Sequence, residues 1–255
     1  MADNPFRASG RVVGDDFFGR TETIRAVVHH LRGKSNVAIC APARTGKSSL
    51  LTVLFRNYRR AEPDALTWFV DLANLNALPE LIAEFFYAMR LPETNYTLRE
   101  FARHLKTWDH RLVIFLDNAE RFAAPPFNEE AFFALLASHM PTQHISLCAT
   151  TTLPPATLFT NRIGLPLHSY FVSCDLPPFS PAECTQFIQQ KLQWTGVVFG
   201  EEDIFDLIET SGGQPAELQR LAAELYRKRT GNRPAETGPK KSIALRQPTR
   251  RRRLL

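Results

Sequence analysis

Ile24, Val27, Val28 and Leu31 recur at helical spacing within residues 21–32, which predicts an amphipathic helix. The next apolar run, 36–40, is short and unbroken, as a strand buried on both faces requires. Leu50, Leu51, Leu54, Phe55 and Tyr58 then return to helical spacing, and 66–72 reads as a second strand with Trp68 and Val70 on one face. Residues 78–89 read as helix, and Thr97 with Glu100 forms a capping box for a helix running toward Trp108. A third apolar strand at 112–117, a helix over 129–138 and a strand at 145–150 complete the alternation. That order predicts a parallel sheet with helices on both faces. Beyond Pro177 and Pro178 the pattern is helical only: a capping box at Ser180 and Glu183, then helices over 204–209 and 216–228. The expected organisation is an α/β core over 1–176, a small helical unit over 177–228 and a disordered tail over 229–255.

Composition changes the picture mainly at the carboxyl end. The chain has 255 residues, 44% of them hydrophobic, enough for one large domain with a smaller companion. Net charge is +5, but residues 240–255 hold seven basic side chains (Lys240, Lys241, Arg246 and Arg250 to Arg253) and no acidic ones, leaving the remainder near −2. The globular part is therefore no basic nucleic-acid surface. The tail suits nucleic acid, an anionic membrane or an acidic protein, and equally a solvated segment with no partner. Cys40, Cys148, Cys174 and Cys184 lack metal-ligand spacing and do not form a secreted disulfide framework. Three sit in or beside apolar runs, which predicts buried thiols. No stretch reaches the roughly 18–20 apolar residues of a membrane span, and a cytoplasmic location is expected.

The chemistry concentrates between the first strand and the second helix. Ala41-Pro-Ala-Arg-Thr-Gly-Lys-Ser48 matches the phosphate-binding P-loop G-x-x-x-x-G-K-[ST], except that alanine replaces its first glycine. Backbone N–H groups of such a loop and the positive end of the following helix surround a polyphosphate. Ala43, Arg44, Thr45, Gly46 and Ser49 are expected beside the nucleotide, Lys47 on its β- and γ-phosphates, and Ser48 on Mg²⁺. The strand Leu112-Val-Ile-Phe-Leu-Asp117 looks like a Walker B strand, with Asp117 aimed at the metal. Asn118 follows where many such ATPases carry the glutamate that polarises water. An amide orients water but cannot take its proton, so slow turnover is expected unless another carboxylate substitutes. Glu120 is the nearest, with a solvated helix-start residue as its alternative role.

Taken together these motifs resemble the AAA+-type P-loop ATPases, specifically the STAND branch and its initiator-like archaeal and bacterial relatives. Phe17-Phe18-Gly19-Arg20 is similar to the family motif that precedes the first helix and lies against adenine. Thr150-Thr151-Thr152 is placed like a sensor strand, with Thr151 the middle choice for the γ-phosphate. Gly213-Gln214-Pro215 resembles the Gly-x-Pro motif that contacts nucleotide from the STAND lid, and Arg162 stands where an arginine finger can occur. The resemblance spans roughly residues 5–228 and implies ATP and Mg²⁺ as cofactors, a helical lid, and a nucleotide-dependent switch. It implies partners too, either further copies of the chain or a separate sensor or effector. Two other readings remain: a DNA-associated AAA+ ATPase that uses the basic tail, and a nucleotide-binding pseudo-ATPase adaptor.

Overall fold

The computed structural model describes residues 4–7, 9–91, 96–107, 110–127, 129–139, 144–158 and 167–231. Five parallel strands form one sheet in the order β2-β3-β4-β1-β5: β1 (Asn36–Cys40), β2 (Leu66–Asp71), β3 (Leu112–Asp117), β4 (Ile145–Thr151) and β5 (Phe171–Asp175). Helices α1 (Thr21–Arg32) and α2 (Lys47–Ala61) pack on one face. On the other lie α3 (Leu78–Ala88), α4 (Leu98–Lys106) and α5 (Glu130–His139). Alternation along the central strand explains the layering. Leu112, Ile114 and Leu116 join the core under α3, α4 and α5, while Val113 and Phe115 join the core under α1 and α2. Phe115 is wholly buried, a transfer contribution of roughly 1.5–3 kcal/mol.

After β4 a short helix α6 (Pro155–Leu158) precedes the edge strand β5. The remaining helices, α7 (Pro181–Leu192), α8 (Glu201–Ser211) and α9 (Pro215–Thr230), share a separate apolar cluster of Cys184, Phe187, Ile188, Leu218, Ala222 and Tyr226 among others. Both expected capping boxes form: Thr97 and Ser180 each accept the N–H of the glutamate three residues on, which reaches back in return. The same bundle core takes in Phe6, whose ring stacks on Phe199 at 6.0 Å. Cys148 and Cys184 are buried as expected, but Cys40 and Cys174 are only half-buried. Burial pushes all four thiols up from their ordinary pKa. Among the described residues no helix is long and apolar enough to cross a membrane.

Candidate functional site

All the strands run the same way, so their carboxyl ends meet along one edge of the sheet, where open α/β folds bind ligands. The loop leaving β1 reaches α2 through left-handed backbone at Arg44 (φ 66°) and Gly46 (φ 91°). Gly46 caps α2 with no side-chain partner, so the first N–H groups of a 15-residue helix face the loop. Ala41 has no positive φ and its methyl group is buried in the β1–α2 core, which is why glycine is not needed there. The Lys47 ammonium donates to the carbonyls of Ala41 (2.7 Å) and Pro42 (2.6 Å). Burial lowers its pKa, and the charges of Glu120 and Asp117 oppose that shift.

Asp117, 1% exposed, is the hub of the site. Its Oδ1 accepts from Ser48 Oγ (3.0 Å), Thr150 Oγ1 and the Asn118 N–H (3.2 Å), while Oδ2 accepts from Arg11 Nη2 at 2.7 Å. Thr151, the middle choice of the three threonines, does not face this cluster. Its hydroxyl is fully buried and exchanges hydrogen bonds with Leu153, because neighbouring strand residues point to opposite faces. Thr150 meets Asp117 instead, and Thr152 lines the adjoining cavity. Asn118 adopts a left-handed conformation (φ 58°) and donates through Nδ2 to Asp71 at 2.6 Å. Glu120 lines the cavity, and its buried Oε2 has no hydrogen-bond partner among the described residues.

That cavity, ≈ 440 Å³, lies between the phosphate loop and the helical bundle, within the size range of small-molecule sites. From the sheet side it is lined by Ala43, Arg44, Thr45, Gly46, Lys47, Ser48 and Ser49, and from the bundle by Pro215 and Gln219. Phe17 and Phe18 divide between the two halves: Phe17 packs on the α1–α2 core and Phe18 edge-on against Phe179 (5.7 Å) and Phe187 (5.5 Å). Gly19 and Arg20 are both left-handed, and the Arg20 guanidinium donates to the Pro177 carbonyl (2.6 Å) and stacks 4.6 Å above Phe179. Burial lowers its pKa. The first turn of α9 touches the loop directly, with the Ala216 N–H 3.4 Å from the Arg44 carbonyl and Glu217 3.9 Å from the Arg44 guanidinium. Arg162 and residues 240–255 lie outside the described residues.

The donor set has consequences for metal. Among the described residues no group of three or more His, Cys, Asp or Glu is arranged around a metal position. The hydroxyl of Ser48 beside the Asp117 carboxylate is a pair of hard oxygen ligands, which fits Mg²⁺, an ion usually held by one or two carboxylates together with substrate phosphates.

The model of the family described as Novel STAND NTPase 1 matches residues 8–238. The chain belongs to that family. Comparison with curated proteins gives no match. Among solved structures, this STAND NTPase resembles the Walker-type ATPase of Pyrococcus abyssi (TM-score 0.65, 18% identity, 88% of this chain and 71% of that one). It also resembles the Aeropyrum pernix ORC2 protein solved in ADPNP–ADP complexes (0.62, 14%, 88% and 67%). A third likeness is the Aeropyrum pernix ORC1 protein in complex with DNA (0.58, 14%, 85% and 62%). At these identities the likeness is one of fold, the AAA+ P-loop architecture.

Two residues of this STAND NTPase's site escape a motif search. Asp71 ends β2 in register with Asp117, whereas the apolar pattern of 66–72 runs past it and gives that aspartate no signal of its own. Arg11 carries no local signal, since it reaches Asp117 from 106 positions away.

Proposed function

We propose that the chain is a regulatory ATPase of STAND type in which ATP, held between an α/β core (1–176) and a helical lid (177–228), acts as a switch with slow hydrolysis. The observation that carries this reading is the contact between loop and lid: α9 begins on the Arg44 carbonyl, so phosphates on the loop lie within reach of both halves. A ligand shifts a two-state equilibrium only by its difference in affinity for the states, and a cavity lined from both sides supplies one. Phe17, Phe18 and Arg20 would border the base, with Lys47 on the phosphates and Ser48 and Asp117 holding Mg²⁺. Bound there, Mg²⁺ would offset phosphate charge. Asn118 is occupied by Asp71 and has no proton-accepting role. Glu120, a carboxylate that lines the cavity and whose buried Oε2 has no hydrogen-bond partner among the described residues, is the better acceptor for a water proton. Such a switch works through a partner, either a second copy or a separate sensor or effector.

The test is binding of a fluorescent ATP analogue and single-turnover hydrolysis by wild type, Lys47→Ala and Glu120→Gln. The expected result is binding with slow turnover in wild type, loss of binding in Lys47→Ala, and binding without turnover in Glu120→Gln. Absence of nucleotide binding in wild type would overturn the reading, and tight binding with no turnover at all would favour the adaptor. A DNA-associated role has one specific support, the seven basic residues of 240–255, and one analogy, the DNA complex of the ORC1 protein. Salt-dependent DNA binding that vanishes on deleting 240–255 is the outcome expected of it.

A further inference from the structure

Asp71 and Asp117 are register neighbours at the ends of β2 and β3, two carboxylates that would repel if left bare. The Arg11 guanidinium lies across both. It donates to Asp71 Oδ2 and, at 2.7 Å, to Asp117 Oδ2, and sits 5.4 Å above the Phe69 ring. Ser48 donates to Asp117 Oδ1, so the guanidinium on Oδ2 occupies the second oxygen of the carboxylate that, with Ser48, fits a divalent cation.

Arg11 is also tethered in both directions. The next residue, Val12, gives its N–H to Ser49 Oγ at 2.9 Å, on the first turn of α2. Upstream, the Arg7 N–H donates to Gln219 Oε1 (2.9 Å), Asn4 Nδ2 to the Ala223 carbonyl (3.0 Å), and Phe6 is buried between α7 and α9 against Phe187 and Tyr226. One short segment thus has its front half in the helical bundle and its back half on the phosphate loop and the metal-side carboxylates.

We propose that Arg11 is a resident counter-ion of the metal position: it must release Asp117 before that carboxylate can serve Mg²⁺, and its release leaves residues 9–12 tied to the α/β unit through the Val12–Ser49 hydrogen bond. Mg²⁺ demands near-octahedral oxygen geometry, which a guanidinium bridging both carboxylates through Nη2 obstructs. A cation faces the two carboxylates in either state, one positive charge on the guanidinium or two on Mg²⁺. Because residues 4–7 stay anchored in the bundle, the exchange tells α7 and α9 whether the nucleotide carries its metal. Nucleotide alone and nucleotide with Mg²⁺ then become distinct signals. This inference rests on the reading of the loop as a nucleotide site.

The experiment uses the full chain, a fluorescent ATP analogue, and wild type beside Arg11→Gln and Arg11→Lys. Affinity is measured in EDTA and across a Mg²⁺ titration. The expected result is a half-saturating Mg²⁺ concentration at least about fivefold lower in Arg11→Gln than in wild type, a modest coupling between sites, with Arg11→Lys in between. An unchanged or raised half-saturating Mg²⁺ in Arg11→Gln overturns the counter-ion role while leaving nucleotide binding intact. A second readout needs no variant: amide exchange of residues 9–11 in wild type should quicken when Mg²⁺ is added to the nucleotide-bound protein, and an equal rate in EDTA and Mg²⁺ counts against the exchange. Absence of nucleotide binding in every condition removes the underlying reading as well.

Discussion

Gly213 is left-handed (φ +70°), and a methyl group placed on it would lie 2.2 Å from the Phe179 carbonyl oxygen, whose own N–H donates to the Gly213 carbonyl at 2.8 Å. Glycine here serves close backbone approach between the start of α7 and the turn before α9. Its neighbour Gly212 is also left-handed (φ +55°) but has nothing within 4 Å. Gly212→Ala is therefore expected to cost about 1 kcal/mol for the left-handed backbone alone. Gly213→Ala should cost about 3 kcal/mol or more, strain and clash together. Urea denaturation of the two variants checks this, and equal losses would mean that the Phe179 contact gives way freely. Asn118 makes a parallel point, since asparagine tolerates the left-handed region and its amide holds Asp71. A glutamate at 118 would instead set a second carboxylate against Asp71.

The joint between α7 and the segment before α1 is ionic as well as aromatic, with Phe18 against Phe187. Lys191 Nζ lies 2.7 Å from Asp16 Oδ1, and Arg7 Nη2 lies 2.8 Å from Asp16 Oδ2. The hydrogen bond from Lys191 leads the causes that hold the Asp16 carboxyl below its ordinary pKa, with Arg7 adding to it. A depressed carboxylate pKa contributes stability that is complete above the unfolded value, about 3.9, and is lost as pH falls through the lower folded value. The stability difference between wild type and Asp16→Asn should thus stay level from neutral pH to about pH 5 and shrink only on further acidification. Chemical denaturation at a series of pH values measures it. A difference that shrank between pH 7 and 6 would assign the joint to some other group.

Over the whole molecule, two apolar cores flank the sheet and a third fills the helical bundle, and the cavity lies where the bundle meets the loop. A ligand contacting both halves should stabilise them as one cooperative unit. Nucleotide at about a hundred times its dissociation constant is expected to raise unfolding free energy by about 2.7 kcal/mol. Thermal unfolding should then move upward as a single transition in wild type and stay put in Lys47→Ala. A shift confined to part of the transition would mean that only one half holds the ligand.

Much of this protein was legible in its sequence because the relevant forces act over a few residues. Strand and helix periodicity, both capping boxes and the P-loop string depend on neighbours within about one helical turn, and the structure places helices and strands where those patterns predicted them. The edge strand β5 was harder to locate, since its alternation is shallow and its outer face is half-exposed. At the site, Lys47, Ser48, Asp117, Glu120 and Pro215 were named from motifs and do surround one cavity or its floor. Which of three successive threonines meets Asp117 was not readable, because one residue of phase on β4 reverses the answer and the pairing of β4 with β3 sets that phase. Nor was Arg11, whose partners Asp71 and Asp117 become neighbours only when β2 and β3 align. Sequence by itself determined the elements and the phosphate-loop motif; the tertiary structure decided which charges share the Asp71 and Asp117 carboxylates, because an ion pair depends on distance in space and not on separation along the chain.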